Sequence, residues 1–397
     1  MRLRSALCLA AAVLLGLALL AAAVPTANHE TATATVGTPS SDAGATAAPR
    51  SLSALAFGPD GTLYIGDSRG GAVFAVTTEE PARHEPTAFE VVDLEAKIAA
   101  RLGTSPGEIM LHDLAVHPSS NRVFLAVSRG RAGWTNAWQL PNHVADADIL
   151  LTVDPGGAIT EYPLSGADLA RVALPSPVSE EKKHAWMQEL SLRTDTITDL
   201  AVSGKTLYVA GLSNEEFSSA LWKISLPLGT AASTSVTTVE VYHGAHGEYE
   251  THAPIRTFVP LEIDGEERIL AAYLCTPLAL FDADALRDES HVKGRTIAEL
   301  GAGNYPLDMV RIQGPGGDRI AMANSSLPLM IIETAAIAAF DGSITEKVPG
   351  YTAGVEHVRR SPTGIQQLDK MGDAFLLTVQ RMPSGTLNLA TLPLRRG

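Results

Sequence analysis

The chain has 397 residues, of which 45% are hydrophobic and 19% charged, and its formal net charge is −14. This composition is typical of a globular protein and excludes a disordered one. The acidic balance argues against nucleic acid and anionic lipid as partners, because both are bound by basic faces.

The first 27 residues have the layout of a secretory signal peptide. Arg2 and Arg4 precede an apolar run from Leu7 to Leu20, and small residues follow up to a cleavage point after Ala23 or Ala27. The alternative is an uncleaved anchor, although the apolar run is short for a helix that spans a membrane. The sequence therefore predicts an exported protein, periplasmic or extracellular, with no membrane span once residues 1–27 are removed.

Residues 28–49 are rich in Ala, Thr, Ser, Gly and Pro without an apolar period, which predicts a disordered leader. Of the two cysteines, Cys8 lies in the signal peptide and Cys275 in a continuous apolar run. An internal disulfide is therefore not expected, and Cys275 is interpreted as a small buried hydrophobic residue. The core, or a metal, must then stabilise the exported chain.

From residue 50 onward one unit recurs, in which an apolar lead strand is followed by a turn and two or three further strands. Residues 52–76 show it most clearly, with hairpin turns at 59–61 and 69–71. Further lead strands begin at residues 111, 197, 255, 306 and 365, at spacings of 51 to 86 residues. Several short strands repeated at such a period are the signature of a β-propeller. The sequence thus predicts an all-β fold, a single six-bladed propeller over residues 50–397.

Two features of the repeat leave room for alternatives. A seventh blade hidden in the 86-residue gap is one, whereas a two-sheet sandwich would not explain six lead strands with the same internal order. The last copy has only three clear strands. Closure of the ring needs a fourth, and we expect an N-terminal strand just before Leu52 to supply it, because this removes an exposed edge.

The 86-residue gap holds two insertions, at about 130–146 and 165–195, which contain Trp134, Trp138 and Trp186. Exposed tryptophans would form a binding rim for a small ring-shaped ligand or a protein. The alternative is that they pack the insertions onto the propeller.

One local phrase carries a resemblance to a known group of propellers. Residues 153–164, VDPGGAITEYPL, are similar to the repeat phrase of streptogramin lyases. In architecture, residues 50–397 resemble bacterial exported propellers of the NHL, gluconolactonase-like and streptogramin-lyase-like types. The phrase occurs once here, whereas the lyases repeat it around the ring in shorter blades. The resemblance therefore implies a six- to seven-bladed fold and transfers no catalytic residue.

The innermost strand of each propeller blade lines the central channel, and ligands bind at concave mouths of this kind. The candidates for a channel-mouth site are polar residues just before or inside the lead strands, namely His112, Asp113, Asp195, Asp199, His252, Arg256, Asn304, Asp308, Gln366 and Asp369. Oxygen ligands suit calcium, and imidazoles suit a transition metal. The alternative is that the aspartates of HDLAV and TDLAV bind the backbone of the neighbouring blade.

Three histidines fall within the stretch YHGAHGEYETHAPIRTFVP, at residues 242–260. Their spacing matches no standard zinc motif. We assign His243 and His246 to a solvated connection between two blades. His252 stands immediately before a lead strand, and His112 is its counterpart on another blade. These two are therefore the candidate ligands of a divalent metal or of a substrate carboxylate.

Motifs for nucleophilic catalysis or haem attachment are absent from the sequence, which has neither Gly-x-Ser-x-Gly nor Cys-x-x-Cys-His. The first functional hypothesis is a ligand- or protein-binding module, as a monomer or as a subunit of a periplasmic redox complex. The second is a metal-dependent hydrolase or lyase acting on a small molecule at the channel mouth. There His112, His252, Asp199 and Asp308 would hold the metal or serve as general base.

Overall fold

The computed structural model describes residues 48–78, 83–129, 148–184, 191–274, 277–301, 303–314 and 317–394. These residues form six small antiparallel sheets arranged in a ring, which is a β-propeller of six blades. The predicted all-β, six-bladed propeller is confirmed, and no seventh sheet is formed by the described residues.

The strands are short and fill most of the described chain. The first thirteen are β1 (Ala54–Phe57), β2 (Thr62–Asp67), β3 (Ala72–Thr77), β4 (Glu90–Val91), β5 (Ile109–Val116), β6 (Val123–Arg129), β7 (Asp148–Val153), β8 (Ile159–Glu161), β9 (Ala170–Ala173), β10 (Asp199–Ser203), β11 (Thr206–Leu212), β12 (Ser219–Ser225) and β13 (Thr234–His243). The next fourteen are β14 (Glu248–Glu250), β15 (Ile255–Ile263), β16 (Glu266–Tyr273), β17 (Pro277–Asp282), β18 (Ser290–Lys293), β19 (Arg295–Leu300), β20 (Pro306–Ile312), β21 (Arg319–Asn324), β22 (Leu329–Glu333), β23 (Thr352–Gly354), β24 (Val358–Arg360), β25 (Ile365–Met371), β26 (Phe375–Arg381) and β27 (Leu387–Pro393).

Helical structure is confined to the connections. It comprises α1 (Leu94–Leu102), α2 (Thr334–Ala339) and 3-10 turns at Pro106–Glu108, Leu192–Asp195 and Ala283–Ala285. Within the described ranges, no helix is long and apolar enough to cross a membrane.

Each blade begins with a lead strand at the centre of the ring. From the innermost strand outward, blade 1 is β1-β2-β3-β9, blade 2 is β5-β6-β7-β8, blade 3 is β10-β11-β12-β13, blade 4 is β15-β16-β17-β19, blade 5 is β20-β21-β22-β24 and blade 6 is β25-β26-β27-β4. Blades 3 and 4 are wider, because β14 and β18 pair with β13 and β23 pairs with β19.

Both faces of a blade are apolar because each blade packs against two neighbours. In β2, Leu63 and Ile65 pack against blade 2, whereas Tyr64 packs against blade 3. Successive side chains leave opposite faces of a strand, so an unbroken apolar run such as LYI contributes to two interfaces at once. Six clusters of buried apolar side chains fill the interfaces between adjacent blades, one at each.

The order of the blades around the ring differs from their order in the chain. The clusters join blade 1 to 3, 3 to 4, 4 to 5, 5 to 6, 6 to 2 and 2 to 1. Contacts between the innermost strands follow the same cycle. The chain therefore places blade 2 on one side of blade 1, returns past blade 1, and builds blades 3 to 6 from its other side.

The ring closes with a strand from early in the chain, but the residues before Leu52 do not provide it. The fourth strand of blade 6 is β4, in which Val91 pairs with Leu389. Likewise, β9 completes blade 1 from within the segment 165–195, which the sequence analysis treats as an insertion. The reason is geometric. Blade 2 sits between blades 6 and 1, so the two connections that serve it run along the outer edges of neighbouring blades.

Candidate functional site

The starts of the innermost strands gather at one end of the central tunnel, together with the turns between the second and third strands of the blades. We call this end the mouth. All the channel-mouth candidates of the sequence analysis lie on the innermost strands or in the segments just before them.

Four aspartates of the innermost strands fasten neighbouring blades to one another. Each accepts the backbone N–H of the residue that follows it, and a second backbone N–H from the next innermost strand around the ring. The cross-blade hydrogen bonds are Leu55 N–H to Asp113 (2.7 Å), Phe258 N–H to Asp199 (2.8 Å), Leu368 N–H to Asp308 (2.7 Å) and Val116 N–H to Asp369 (2.7 Å). The hydrogen bonds thus show that the aspartates of HDLAV and TDLAV bind the backbone of the neighbouring blade. The aspartates of two more blades do the same.

These carboxylates share a crowded interior. Burial raises the pKa of Asp199 to about 7 and that of Asp369 to about 6, although backbone N–H groups oppose the shift. Burial, and then repulsion from the other tunnel aspartates, raises the pKa of Asp113 and Asp308 well above its usual value. The four carboxylates therefore tend to hold protons that free aspartates would have lost.

β-Bulges at equivalent positions turn three of the candidate side chains away from the sheets. The ladder shifts register at His112 in blade 2, at Arg256 in blade 4 and at Gln366 in blade 6. A bulge leaves one residue unpaired and re-aims its side chain. The same irregularity recurs in four blades, because blade 5 has it at Leu307, and in the other three it presents a histidine, an arginine and a glutamine at the mouth.

His112 lies in a polar cluster at the mouth end of blade 2. Its Nε2 is 2.8 Å from Ser128 Oγ and 3.7 Å from Asp148 Oδ1. Burial raises the pKa of Asp148 to about 7, against the opposing effect of nearby Arg69. A buried carboxyl that titrates near neutrality, beside a histidine and a serine, is a candidate functional group.

Arg69, from the turn between β2 and β3, is the cationic member of this cluster. Its Nε and Nη2 are shielded from solvent and have no hydrogen-bond partner among the described residues, and the same holds for Asp148 Oδ1. Buried polar atoms are nearly always paired. Within the described residues, these atoms of Arg69 and Asp148, which lack hydrogen bonds and belong to groups of opposite charge, are therefore the feature of the mouth that most favours a ligand.

Other candidates at the mouth have protein partners. His252 is exposed, and its Nδ1 lies 3.0 Å from Ser218 Oγ. Asn304 is buried and donates to Asn324 Oδ1 at 2.9 Å. Burial raises the pKa of Asp195, while Arg256 and His184 oppose the shift. No group of three or more potential metal ligands in the described chain includes His112 or His252.

No protein-family model matches the chain, and no curated protein is significantly similar to it. The tryptophans Trp134, Trp138 and Trp186, and Cys275, lie outside the described residues.

A second candidate site contains the two histidines that the sequence analysis assigns to a solvated connection between blades. His243 ends β13 and is fully buried rather than solvated, and His246 follows it in the turn to β14. Within the described ranges, His243, His246 and Glu250 are the one group of three potential ligands whose atoms all lie within 4.8 Å of one another. The sequence carries a signal for this, because His243 falls two and four residues after Val241 and Val239 and so lies on the same face of the strand as these buried residues.

One carboxylate oxygen joins the two imidazoles. Glu250 Oε1 is 2.6 Å from His243 Nδ1 and 2.7 Å from His246 Nδ1. Burial raises the pKa of Glu250, but the hydrogen bonds and charges of the two histidines outweigh it and lower the pKa below its usual value. Glu250 is therefore held as a carboxylate, the form in which it binds a cation.

Proposed function

We propose that this propeller is an exported binding module whose ligand enters the mouth and places an anionic group against Arg69. The observation that carries the proposal is a set of solvent-shielded atoms at the junction of blades 1 and 2 that have no hydrogen bond to any described residue, namely Nε and Nη2 of Arg69 and Oδ1 of Asp148. The ligand is a small molecule, or a side chain of a protein partner, that carries an anionic group and a hydrogen-bond donor.

Energetics favours such a ligand. A buried donor or acceptor without a partner costs about 1–3 kcal/mol. An anionic group that pairs with Arg69 while a hydroxyl or amine donates to Asp148 recovers this cost for both residues. Charge-assisted pairs of this kind also fix the orientation of the ligand. Hydroxy acids and amino acids are the smallest molecules that offer both groups.

The resemblance to exported propellers of the NHL, gluconolactonase-like and streptogramin-lyase-like types supports a setting outside the cytoplasm. There the ligand-bearing partner is a subunit of a periplasmic redox complex or another envelope protein. The polar mouth and the acidic surface expected from a net charge of −14 favour small ligands and proteins over nucleic acid.

The test is a thermal-shift and calorimetric screen of small hydroxy, keto and amino acids with the wild-type protein and the Arg69→Gln variant. Saturable binding that Arg69→Gln weakens by at least about tenfold, a loss of about 1.4 kcal/mol, supports the proposal. Arg360→Gln is the matched control, because Arg360 is exposed on the outermost strand of blade 5. Equal affinity of the Arg69→Gln and Arg360→Gln variants would refute the role of Arg69.

A metal-dependent hydrolase or lyase is the second candidate, and Asp148 is the observation that favours it. A carboxyl whose pKa is raised to about 7 by burial can both accept and donate a proton near neutral pH. Beside it, His112 and Ser128 offer a ligand and a hydroxyl. Turnover of esters or lactones that depends on added calcium or zinc and is lost in Asp148→Asn supports this candidate. Turnover unchanged in Asp148→Asn counts against it.

A further inference from the structure

We propose that His243, His246 and Glu250 bind a divalent transition-metal ion on the outer edge of blade 3, a site separate from the mouth. Two imidazoles and one carboxylate form a ligand set that suits zinc and neighbouring first-row metals. The three ligand atoms already lie within 4.8 Å of one another. The site goes beyond the proposed binding function, because its ligands come from β13, β14 and the turn between them rather than from the innermost strands.

The hairpin brings the three residues onto one face. In the β13–β14 ladder Val241 pairs with Glu250 and His243 with Glu248. Residues that pair across strands share a face, and so do diagonal neighbours two positions apart. Glu250 therefore lies on the face of His243. The turn then folds His246 back, so that its ring centroid is 3.9 Å from that of His243.

The inner side of the site is rigidly built. The side chain of His243 has 0% exposure and stands between two carboxylates, with Glu250 on Nδ1 and Glu299 Oε2 at 3.9 Å from Nε2. Glu299 Oε1 also accepts the N–H of Gly244 at 2.5 Å. A side chain at Gly244 would clash with Val348 at 2.8 Å, so glycine lets the turn sit this close to the neighbouring segment.

The outer side of the site is open to solvent. The side chain of His246 is 50% exposed and that of Glu250 is 20% exposed, so a hydrated ion can reach the cluster without opening the fold. His243 is therefore already held in place as a ligand, and His246 lies on the solvent-exposed side from which the ion enters. Carboxylates that orient a ligating histidine from behind, as Glu299 does here, are a common second layer of metal sites.

The present distances need only a small adjustment. Metal–nitrogen and metal–oxygen bonds of about 2.0–2.2 Å in a tetrahedral arrangement hold ligand atoms roughly 3.4 Å apart. The two Nδ1–Oε1 distances are 2.6 and 2.7 Å, so each must open by less than about 1 Å, which the exposed His246 side chain allows. On binding through Nδ1, each neutral imidazole carries its proton on Nε2 instead, and the metal takes the place of both hydrogen bonds.

The test is calorimetric titration of untagged, chelator-treated full-length protein with zinc chloride and, separately, nickel chloride. We expect one equivalent to bind with a dissociation constant of about 10 µM or tighter, that is, about −7 kcal/mol or better. His246→Ala and Glu250→Gln should each weaken binding by at least about 100-fold, since each removes one of three ligands. His84→Ala is the matched control, because His84 is an exposed histidine outside the cluster, and it should bind like wild type.

Two further measurements separate a metal site from a merely structural cluster. Glu299→Gln, which keeps an acceptor for Gly244, should weaken zinc binding by about 10–100-fold. Zinc should raise the melting temperature of wild type and His84→Ala but not of His246→Ala, whose circular dichroism should match wild type. Absence of saturable binding to wild type, or a stoichiometric site that survives both His246→Ala and Glu250→Gln, overturns the proposal.

Discussion

Replacing Asp199 by asparagine tests whether the tunnel aspartates fasten the blades while holding a proton. Asp199 accepts the N–H of Leu200 at 2.7 Å and that of Phe258, on blade 4, at 2.8 Å. Asparagine has one carbonyl oxygen, and its NH₂ group would face the other N–H without accepting it. A buried N–H that loses its acceptor costs about 1–3 kcal/mol.

The charge of Asp199 also makes a pH-dependent contribution to the free energy of unfolding. This contribution is destabilising, whereas the hydrogen bonds that Asp199 accepts are stabilising. Burial raises its pKa from 3.8 to about 7, so the folded state binds a proton that the unfolded state has lost between these pH values. Wild-type stability therefore falls as pH rises through this window. A shift of about three units at 1.36 kcal/mol each gives a ceiling of about 4 kcal/mol. Contact with solvent reduces this value, because Asp199 is only partly buried.

The assay is urea unfolding of both proteins at pH 4.5, 6 and 8, followed by tryptophan fluorescence. At pH 4.5 we expect Asp199→Asn to be less stable than wild type by about 1–3 kcal/mol, the cost of the lost acceptor. This deficit should shrink steadily as pH rises and reach zero or reverse by pH 8. A deficit that grows with pH would refute the reasoning, since it would mean that the backbone N–H groups hold the carboxylate ionised.

Three further substitutions test other parts of the structure. Asp148→Asn should raise the free energy of unfolding above pH 8, by up to about 4 kcal/mol, and leave it unchanged at pH 4, because burial raises the pKa of Asp148 to about 7; equal effects at both pH values would contradict this. Gly211→Ala should cost about 1–3 kcal/mol or more in the same urea assay, since its Cβ would lie 2.0 Å from the carbonyl oxygen of Thr196. Val91→Asp places a charge in the closing strand, where Val91 is 1% exposed, and should destabilise by at least about 3 kcal/mol. If Gly211→Ala or Val91→Asp unfolds at the same urea concentration as wild type, the corresponding prediction is contradicted.

The repeat predicts the blades well because the second strand of a blade is an apolar run, as in VFLAVSR and TLYVAGL, next to a recognisable turn. It does not predict the ring order, because that depends on which side of blade 1 the chain turns after β3, a choice made by tertiary packing. The closing strand β4 has only two residues, Glu90 and Val91. No periodicity can be read from so short a segment, whereas the residues before Leu52 fit the usual closure of a propeller.

The candidate site, like the fold, is predicted from the sequence only in part. The equivalence of Asp113 and Asp199 in HDLAV and TDLAV correctly pointed to a role in binding the neighbouring blade. Arg69 went unnoticed, because a turn residue beside two glycines gives no sign of burial. The glycines that follow His243 predict a solvated loop, which is wrong for His243, because it is the last residue of a strand whose final five residues are all buried.

The exchange of outer strands has a consequence for how the chain becomes a ring during synthesis. Val91 finds its partner only when Leu389 has been made, close to the end of the chain. At about 5–20 residues per second, β4 and the helix behind it wait on the order of 15 s or longer with an unpaired edge. Nη1 and Nη2 of Arg381 then donate to the carboxylate of Glu95 in α1, at 2.5 and 2.9 Å. A proteolytic cut or a premature stop near the C-terminus would therefore leave β4 without its partner strand, although β4 lies almost 300 residues earlier in the chain.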